Sequence, residues 1–236
     1  EKKEVYWNAT EKAVYFYGDV SLNSGVWQTT DYSFSTQGLQ NLTAAMNVTV
    51  TGHSGANSAN LNVNRNDDYT GNWTINLGDG NDSLLSAKLK NGDSIDMGAG
   101  DDVVYLMLTG SNGTPTISAA NLTKLDGGAG NDTLGFEESG SNTSELTLTT
   151  AGATNFENII GTAGAETIKG DNNANVLTGK IGADTLYGYG GNDTLHADSN
   201  GSTNQTSSDV LYGGAGDDTL YGNAGDNTLD GGTGAD

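Results

Sequence analysis

The sequence predicts an all-β protein, with a parallel β-roll or β-solenoid toward the C-terminus and a less regular β-rich N-terminal part. Three observations support this fold class. A nine-residue pattern with a large apolar residue at a fixed place recurs in the second half of the chain. Period-two alternation, as in MNVTVTG and NWTINLG, marks strands in the first third, and no segment has the periodicity of an amphipathic helix.

The recurring unit has the form G-G-x-G-x-D-x-U-x, where U is a large apolar residue. From position 161 it reads GTAGAETIK, GDNNANVLT, GKIGADTLY and GYGGNDTLH, and after a polar insertion (197–203) it continues as NQTSSDVLY, GGAGDDTLY, GNAGDNTLD and GGTGAD. Such spacing predicts a solenoid in which glycines turn the chain and each triplet around U forms a short strand. Two units make one flattened coil, so U residues eighteen apart stack on the same side of a thin core: Ile168, Leu177, Leu186, Leu195, Leu211, Leu220 and Leu229.

Three regions follow from the distribution of this unit. Residues 161–236 are predicted to form the β-roll, and 77–160 an irregular solenoid with partial units at 77–85, 88–96 and 97–105 and a full one at 127–135. Residues 1–76 are a β-rich segment, either a solenoid without glycine-rich turns or a small sandwich. Because the sequence stops inside a unit, we expect it to be a fragment of a longer chain.

Composition and charge exclude several classes of function. Lys plus Arg number 9 against 30 Asp plus Glu, a net charge of -21, which disfavours nucleic acid and anionic membranes as partners. There is no cysteine for disulfides or thiolate sites, no apolar run long enough for membrane insertion, and no signal-peptide pattern. The two histidines lie in unrelated contexts, and neither a zinc motif nor a nucleophile elbow occurs, so we expect no enzyme active site.

The acid at the sixth position of each unit predicts metal binding. Stacked turns place these acids in two rows, one along each edge of the roll, and bare rows of carboxylates repel one another. Calcium relieves that repulsion, since it takes six to eight carboxylate and carbonyl oxygens, whereas magnesium prefers a smaller, more hydrated site and zinc prefers His or Cys. Several bound Ca2+ ions are therefore expected.

These units resemble the nonapeptide repeats of RTX (repeats-in-toxin) proteins, specifically over 161–236, well at 127–135, partly at 77–105 and not before 77. The resemblance implies that each ion is shared by turns two units apart on one edge. It pairs Glu166 with Asp184, Asn175 with Asp193, Asp209 with Asn227, and Asp218 with Asp236, and it gives Asp82, Asp102 and Asp132 the same role upstream.

Departures from the motif are expected to weaken some sites. Glu166, Asn175 and Asn227 replace the usual aspartate, and the insertion at 197–203 is expected to break the stack after Asp193. The remaining predicted site residues are the motif glycines, which let carbonyls point toward the ion: Gly127, Gly128, Gly130, Gly179, Gly182, Gly188, Gly191, Gly213, Gly214 and Gly216.

The resemblance also implies type I secretion from a bacterium as an unfolded chain that folds in extracellular calcium. The favoured function is a non-enzymatic structural protein of the cell surface, either a surface-layer (S-layer) subunit or an adhesin segment. Its partners would be copies of itself or cell-surface polysaccharide. One alternative is a calcium-dependent folding and secretion module of a larger secreted enzyme or toxin. Another is a carbohydrate-binding adhesin domain that uses N-terminal aromatics, although buried strand residues are their commoner role: Trp7, Tyr15, Phe16, Tyr17, Trp27 and Tyr32.

Overall fold

The computed structural model describes residues 72–87, 92–107, 124–137, 145–199 and 206–236, and the main chain of five strands before them. The described residues form strands and turns, with one 3-10 turn at Thr150–Gly152. The chain divides into two compact units. The first comprises Glu1–Met107, Ile117–Asp132 and Ala151–Asn155, and the second comprises Leu108–Thr116, Thr133–Thr150 and Phe156–Asp236.

From β2 onward, strands of the first unit alternate along the chain between two sheets, and β1 lies beside β2 in the same sheet. One sheet has the order β1-β2-β4-β6-β8-β10, and the other contains β9-β7-β5-β3. Neighbouring strands are parallel except for the antiparallel pair β1 and β2. Within residues 1–76 the described strands β2 to β6 pair in parallel, as strands of a solenoid do. The strands are β1 (Glu4–Asn8), β2 (Ala13–Tyr17), β3 (Tyr32–Ser35), β4 (Asn47–Thr51), β5 (Asn57–Asn60), β6 (Trp73–Asn76), β7 (Ser83–Ala87), β8 (Ser94–Asp96), β9 (Val103–Met107) and β10 (Lys124–Asp126).

The second unit is a parallel solenoid. Its sheets have the orders β12-β14-β16-β18-β20 and β11-β13-β15-β17-β19, and consecutive coils pair Ile168 with Leu186 and Leu177 with Leu195, as the repeat predicts. The strands are β11 (Thr133–Glu137), β12 (Glu145–Thr147), β13 (Asn158–Ile160), β14 (Thr167–Lys169), β15 (Val176–Thr178), β16 (Thr185–Gly190), β17 (Thr194–His196), β18 (Val210–Ala215), β19 (Thr219–Tyr221) and β20 (Thr228–Thr233).

The apolar residue of each repeat faces inward because side chains alternate along a strand. In the second unit the core includes fully buried residues at the U position, each in register with the next coil on its own sheet. Leu229 lies on β20, the last strand of its sheet, and is 46% exposed. The buried U residues are Ile168, Leu177, Leu186, Leu195 and Leu211.

Aromatic rings stack on the outer faces of the second unit, one residue after U. The ring centroids of Tyr187 and Tyr212 are 5.0 Å apart, and those of His196 and Tyr221 are 4.6 Å apart. These stacks run from coil to coil and so support the parallel register.

The insertion at 197–203 does not break the stack, and that prediction was wrong. Across the insertion β16 pairs with β18, which places Leu186 opposite Leu211, and β17 pairs with β19. The main-chain N–H of Ala197 donates to the Tyr221 carbonyl at 2.9 Å, just as Gly179 donates to His196. Ala197 therefore occupies the first position of a turn whose sixth position is Asp209.

Two further sequence-based expectations concern membrane insertion and a carbohydrate platform of N-terminal aromatic side chains. No helix among the described residues is long and apolar enough to cross a membrane. The side chains proposed for a carbohydrate platform, Trp7, Tyr15, Phe16, Tyr17, Trp27 and Tyr32, lie outside the residues whose side chains the structure describes.

Candidate calcium sites

Residues at the sixth position of the repeat form ladders along the edges of the second unit. On one edge the N–H of Glu166 donates to Oδ1 of Asp184 at 2.7 Å, and the N–H of Asp184 donates to Oδ1 of Asp209 at 2.8 Å. The N–H of Asp209 in turn donates to Oδ1 of Asn227 at 2.8 Å. The two pairs predicted for this edge, Glu166 with Asp184 and Asp209 with Asn227, are therefore adjacent.

The opposite edge repeats this pattern. The N–H of Asn175 donates to Oδ1 of Asp193 at 2.7 Å, that of Asp193 to Asp218 at 2.8 Å, and that of Asp218 to Asp236 at 3.0 Å. Both predicted pairs, Asn175 with Asp193 and Asp218 with Asp236, are again neighbours.

A shorter ladder of the same kind lies in the first unit. The N–H of Asp82 donates to Oδ1 of Asp102 at 2.7 Å, and the N–H of Asp102 donates to Oδ1 of Asp132 at 2.8 Å. All three side chains are buried. The three upstream acids predicted from the partial repeats are thus brought together on one edge.

The second carboxylate oxygen of several of these aspartates has no partner. In Asp102, Asp184, Asp193 and Asp218 the Oδ2 atom is buried and makes no hydrogen bond. A buried, uncompensated carboxylate oxygen is costly unless it is protonated or meets a cation. These atoms are consequently the strongest structural indication of bound cations.

A first-position glycine lies beside the Oδ2 atoms of Asp184, Asp193 and Asp218, where a small space is bordered by oxygen atoms. A Cβ placed on Gly213 would collide with Oδ2 of Asp218 and lie 2.6 Å from the carbonyl oxygen of Gly231 in the next coil. At Gly188 the corresponding neighbours are Oδ2 of Asp193 and, at 2.5 Å, the carbonyl oxygen of Gly213. The first glycine of the repeat therefore keeps a carboxylate and a carbonyl oxygen exposed to a common space.

The same arrangement recurs at two other first-position glycines. A Cβ on Gly179 would collide with Oδ2 of Asp184 and with the carbonyl oxygen of Ala197. In the first unit, a Cβ on Gly127 would lie 2.8 Å from Oδ2 of Asp132. Because these spaces are bordered by carboxylate and carbonyl oxygens, they fit the ligand preference of calcium.

The second and fourth glycines have a different role. Gly214 and Gly216 have φ of 114° and 138°, which side chains with a Cβ rarely adopt. A Cβ on Gly216 would also collide with the carbonyl oxygen of Gly191 in the neighbouring coil. These positions let successive turns approach closely, and the other predicted glycines with positive φ are Gly128, Gly130, Gly182 and Gly191.

The three residues that depart from the motif are satisfied by the protein itself. Oε2 of Glu166 accepts the N–H of Thr162 in its own turn at 3.2 Å, and Oε1 accepts the hydroxyl of the same threonine. Nδ2 of Asn175 donates to the carbonyl of Glu157 at 2.8 Å, and Nδ2 of Asn227 donates to the carbonyl of Gly222. In Asn175 and Asn227 an amide donor therefore stands where aspartate would offer a second carboxylate oxygen.

Burial and mutual repulsion perturb the acids of the ladders. Burial raises the pKa of Asp184 to about 8, and the charges of Glu166, Asp209 and Asp198 add to the rise. Burial likewise raises the pKa of Asp193 to about 6, with a contribution from Asp218. A divalent ion offsets both effects, because it replaces lost hydration and neutralises the neighbouring charges.

Side chains alone do not complete a site. Within the described ranges, no group of three or more His, Asp or Glu side chains forms a metal site by itself. Main-chain carbonyls would have to supply part of the coordination, which suits calcium and disfavours zinc.

Two buried acids were missed by sequence reasoning. Asp93 is fully buried, and its Oδ1 accepts the N–H of Trp73 at 2.8 Å. It lies nine residues before Asp102 and two before Ile95, so the repeat spacing could have identified it. Asp198 is also fully buried, but it occupies a second position, where the motif has glycine, and no sequence signal marks it.

Comparison with known proteins identifies the repeats. The family model of the RTX calcium-binding nonapeptide repeat matches residues 124–134, 160–195 and 205–236, in four copies. None of the curated proteins compared with the chain matches it. The matched segments include the coils that carry Asp132, Asp184, Asp193 and Asp218. The chain therefore contains RTX nonapeptide repeats over these segments, and repeats of this kind are a known calcium-binding type.

Proposed function

We propose that the protein is a calcium-dependent structural component of the bacterial cell surface, an S-layer or adhesin segment that folds after secretion and has no catalytic role. One observation carries the calcium part of this proposal. The Oδ2 atoms of Asp184, Asp193 and Asp218 are buried without hydrogen-bond partners, beside first-position glycines and carbonyls of the next coil. Calcium supplies the positive charge that such oxygens lack.

The geometry couples ion binding to folding. Carboxylate and carbonyl oxygens that border one space come from different coils, as with Asp218 and Gly231, so they meet only when the coils are stacked. In the unfolded chain they are separate, and the net charge of -21 favours expansion. The free energy of calcium binding therefore contributes to the free energy of folding, which suits a chain that folds where calcium is abundant.

A structural role is supported by the way the coils associate. Each coil of the second unit pairs in parallel with the coils before and after it on the same sheet, as β14, β16 and β18 do. Repeats that contact only their neighbours build long, stiff shapes with large surfaces, which are suited to display or assembly. The RTX repeats are consistent with an extracellular location.

Size-exclusion chromatography with light scattering tests this proposal. The chain is run in chelator, in millimolar calcium and in millimolar magnesium. We expect an expanded monomer in chelator and in magnesium, and contraction followed by ordered self-association in calcium. Contraction to a monomer that never associates would favour the alternative of a folding and secretion module. A hydrodynamic radius that ignores calcium would contradict calcium-dependent folding.

A further inference from the structure

We propose that the first full coil of the second unit, residues 158–178, folds without calcium and is the template onto which calcium adds the later coils. This coil contains β13, β14 and β15 and the two turns between them. The inference rests on the proposed calcium-dependent function and deepens it, because it says where folding starts and which part of the chain the ion regulates. The repeat motif specifies neither.

The first turn of this coil satisfies its own carboxylate. Glu166 is buried and accepts two hydrogen bonds from Thr162, whose main-chain N–H donates to Oε2 at 3.2 Å and whose hydroxyl donates to Oε1. The same hydroxyl oxygen accepts the N–H of Gly164 at 3.1 Å, which fixes the threonine within the turn. Because both carboxylate oxygens have donors in the protein, this turn leaves no buried oxygen for a cation to compensate.

The second turn of the coil has no acid at its sixth position. Asn175 is buried, its Nδ2 donates to the carbonyl of Glu157 at 2.8 Å, and its Oδ1 accepts the N–H of Asp171 at 2.8 Å. Asp171 is exposed and accepts both the main-chain N–H and the side-chain amide of Asn173. The side chains of this turn are therefore paired within the protein, and no charge is buried among them.

A third neutral side chain joins the coil to the strand before it. Asn158 on β13 is buried, its Oδ1 accepts the N–H of Val176 on β15 at 2.9 Å, and its Nδ2 donates to the hydroxyl of Thr133 on β11 at 3.5 Å. On the two sheets β13 pairs with β11 and β14 pairs with β12. The apolar residues inside the coil are fully buried: Ile159, Ile168 and Leu177. Hydrogen bonds and packing thus hold these five strands together without an ion.

The later coils differ in the atoms that they bury. Within residues 158–178 no buried side-chain nitrogen or oxygen lacks a hydrogen bond, whereas Oδ2 of Asp184, Asp193 and Asp218 has none. Residues 158–178 carry two acids and one lysine, and residues 179–236 carry nine acids and one lysine. Burial of an unpaired carboxylate oxygen costs free energy until a cation or a proton meets it. Calcium is therefore needed for the later coils and not for this one.

Once folded, the coil positions the first acids of the later coils. β14 and β15 pair in parallel with β16 and β17 of the next coil. The main-chain N–H of Glu166 donates to Oδ1 of Asp184, and that of Asn175 donates to Oδ1 of Asp193. Repeats of a solenoid contact only their neighbours, so folding that starts in one coil can propagate to the next. Calcium then stabilises each added coil.

Hydrogen–deuterium exchange of the full chain, read by mass spectrometry as free calcium is raised from chelator, tests the order of folding. We expect the main-chain amides of 158–178 to exchange about tenfold or more slowly in chelator than in an unfolded chain. Those of the later coils should gain protection only as calcium binds. Protection gained by both segments at one calcium midpoint would overturn the template and leave the proposed function intact. Protection of both segments in chelator would contradict the template and the proposed function together.

Thr162→Val tests whether the self-paired turn is the cause. The change removes the hydroxyl that serves Glu166 and Gly164 and largely preserves the shape of the side chain. Protection of 158–178 in chelator should fall about tenfold, because a buried carboxylate oxygen loses its donor, and the calcium midpoint of the later coils should rise. Thr178→Val is the control, since it makes the same change at a partly exposed residue of the same coil and should alter neither quantity. Equal effects of the two variants would overturn the inference.

Discussion

At the scale of single residues, the identity of the sixth residue decides whether a turn needs a cation. Asp184 and Asp193 make no hydrogen bond through Oδ2 within their own turns, so that atom is left buried without a partner. Glu166 is one methylene longer and reaches back to Thr162, while Asn175 brings its own donor. We therefore expect small differences in side-chain length and charge to separate strong from weak calcium positions.

Restoring the aspartate at a weak position should create a binding site. Asn175→Asp removes the hydrogen bond to Glu157 and adds a carboxylate next to Asp193. We expect about one additional bound calcium ion at saturation and a less stable fold in chelator. Equilibrium dialysis with metal analysis measures the first effect. Asn172→Asp, an exposed change of equal charge in the same turn, should add none.

Protonation should compete with calcium at the strongest positions. The pKa values of Asp184, about 8, and Asp193, about 6, are raised above the ordinary value of 3.8, so without calcium the folded state binds more protons than the unfolded state. Stability in chelator should therefore fall as the pH rises from 3.8 to about 8. The calcium concentration needed for folding should accordingly rise over the same interval, because protonation no longer stabilises the calcium-free fold. Calcium titrations at several pH values measure this dependence, and a midpoint that does not change with pH would contradict it.

At the scale of the coil, the first glycine of each repeat keeps the space beside the carboxylate open. Gly188→Ala should fill that space, because its Cβ would collide with Oδ2 of Asp193 and crowd the carbonyl oxygen of Gly213. Overpacking of this kind costs about 1–3 kcal/mol, so the calcium concentration needed for folding should rise roughly tenfold.

Gly190→Ala is the matched control for this change. Gly190 lies on the same strand, β16, and the nearest atom to its added Cβ is Oδ1 of Asn172 at 3.3 Å. Its calcium midpoint should stay near that of the wild type. If both alanine variants behave alike in calcium titrations followed by circular dichroism, loss of glycine flexibility, and not filling of the site, is responsible.

The thin core should respond according to position in the stack. Leu195→Ala removes a fully buried side chain packed between coils and should reduce the free energy of unfolding in calcium by about 2–5 kcal/mol. Leu229→Ala should cost clearly less, because Leu229 is 46% exposed. Urea unfolding at saturating calcium compares the two, and equal losses would be inconsistent with the observed packing.

The repeat spacing predicted the regular coils, but it did not predict the places where a coil departs from the nonapeptide repeat. Register, the two alternating sheets and the pairs from Glu166 with Asp184 to Asp218 with Asp236 all follow from a period that fixes the same side chain on every coil. The insertion at 197–203 was expected to break the stack, and that prediction failed because a sequence alignment cannot distinguish residues inserted between coils from residues inserted within one. Asp198 escaped notice because it occupies a second position, where the motif has glycine, and no local pattern in the sequence marks its burial.

At the scale of the whole molecule, charge and core size set the need for calcium. The net charge is -21, and the second unit has a core of little more than one apolar side chain per strand. Self-repulsion of this size opposes compaction. Ions bound between coils would reduce the repulsion locally, at the acids that repel one another most. Calcium ions bound along the edges are thus expected to contribute to the free energy of folding, as buried apolar side chains do.

Salt alone should not replace calcium in this account. Monovalent salt screens the exposed acids, but it reaches buried carboxylates such as Asp184 poorly. Magnesium carries the same charge as calcium and keeps its water more strongly, so it fits an all-protein oxygen site less well. A comparison of monovalent salt, magnesium and calcium therefore separates specific coordination of an ion from general neutralisation of charge.

The most direct measurement is far-UV circular dichroism of the full chain as free calcium is raised from chelator to millimolar concentration, with parallel series in magnesium and in sodium chloride. The account predicts a cooperative gain of β signal in calcium, and little change in the other two series. A β signal already complete in chelator at neutral pH, or gained equally in magnesium, would contradict the claim that calcium held between coils drives folding.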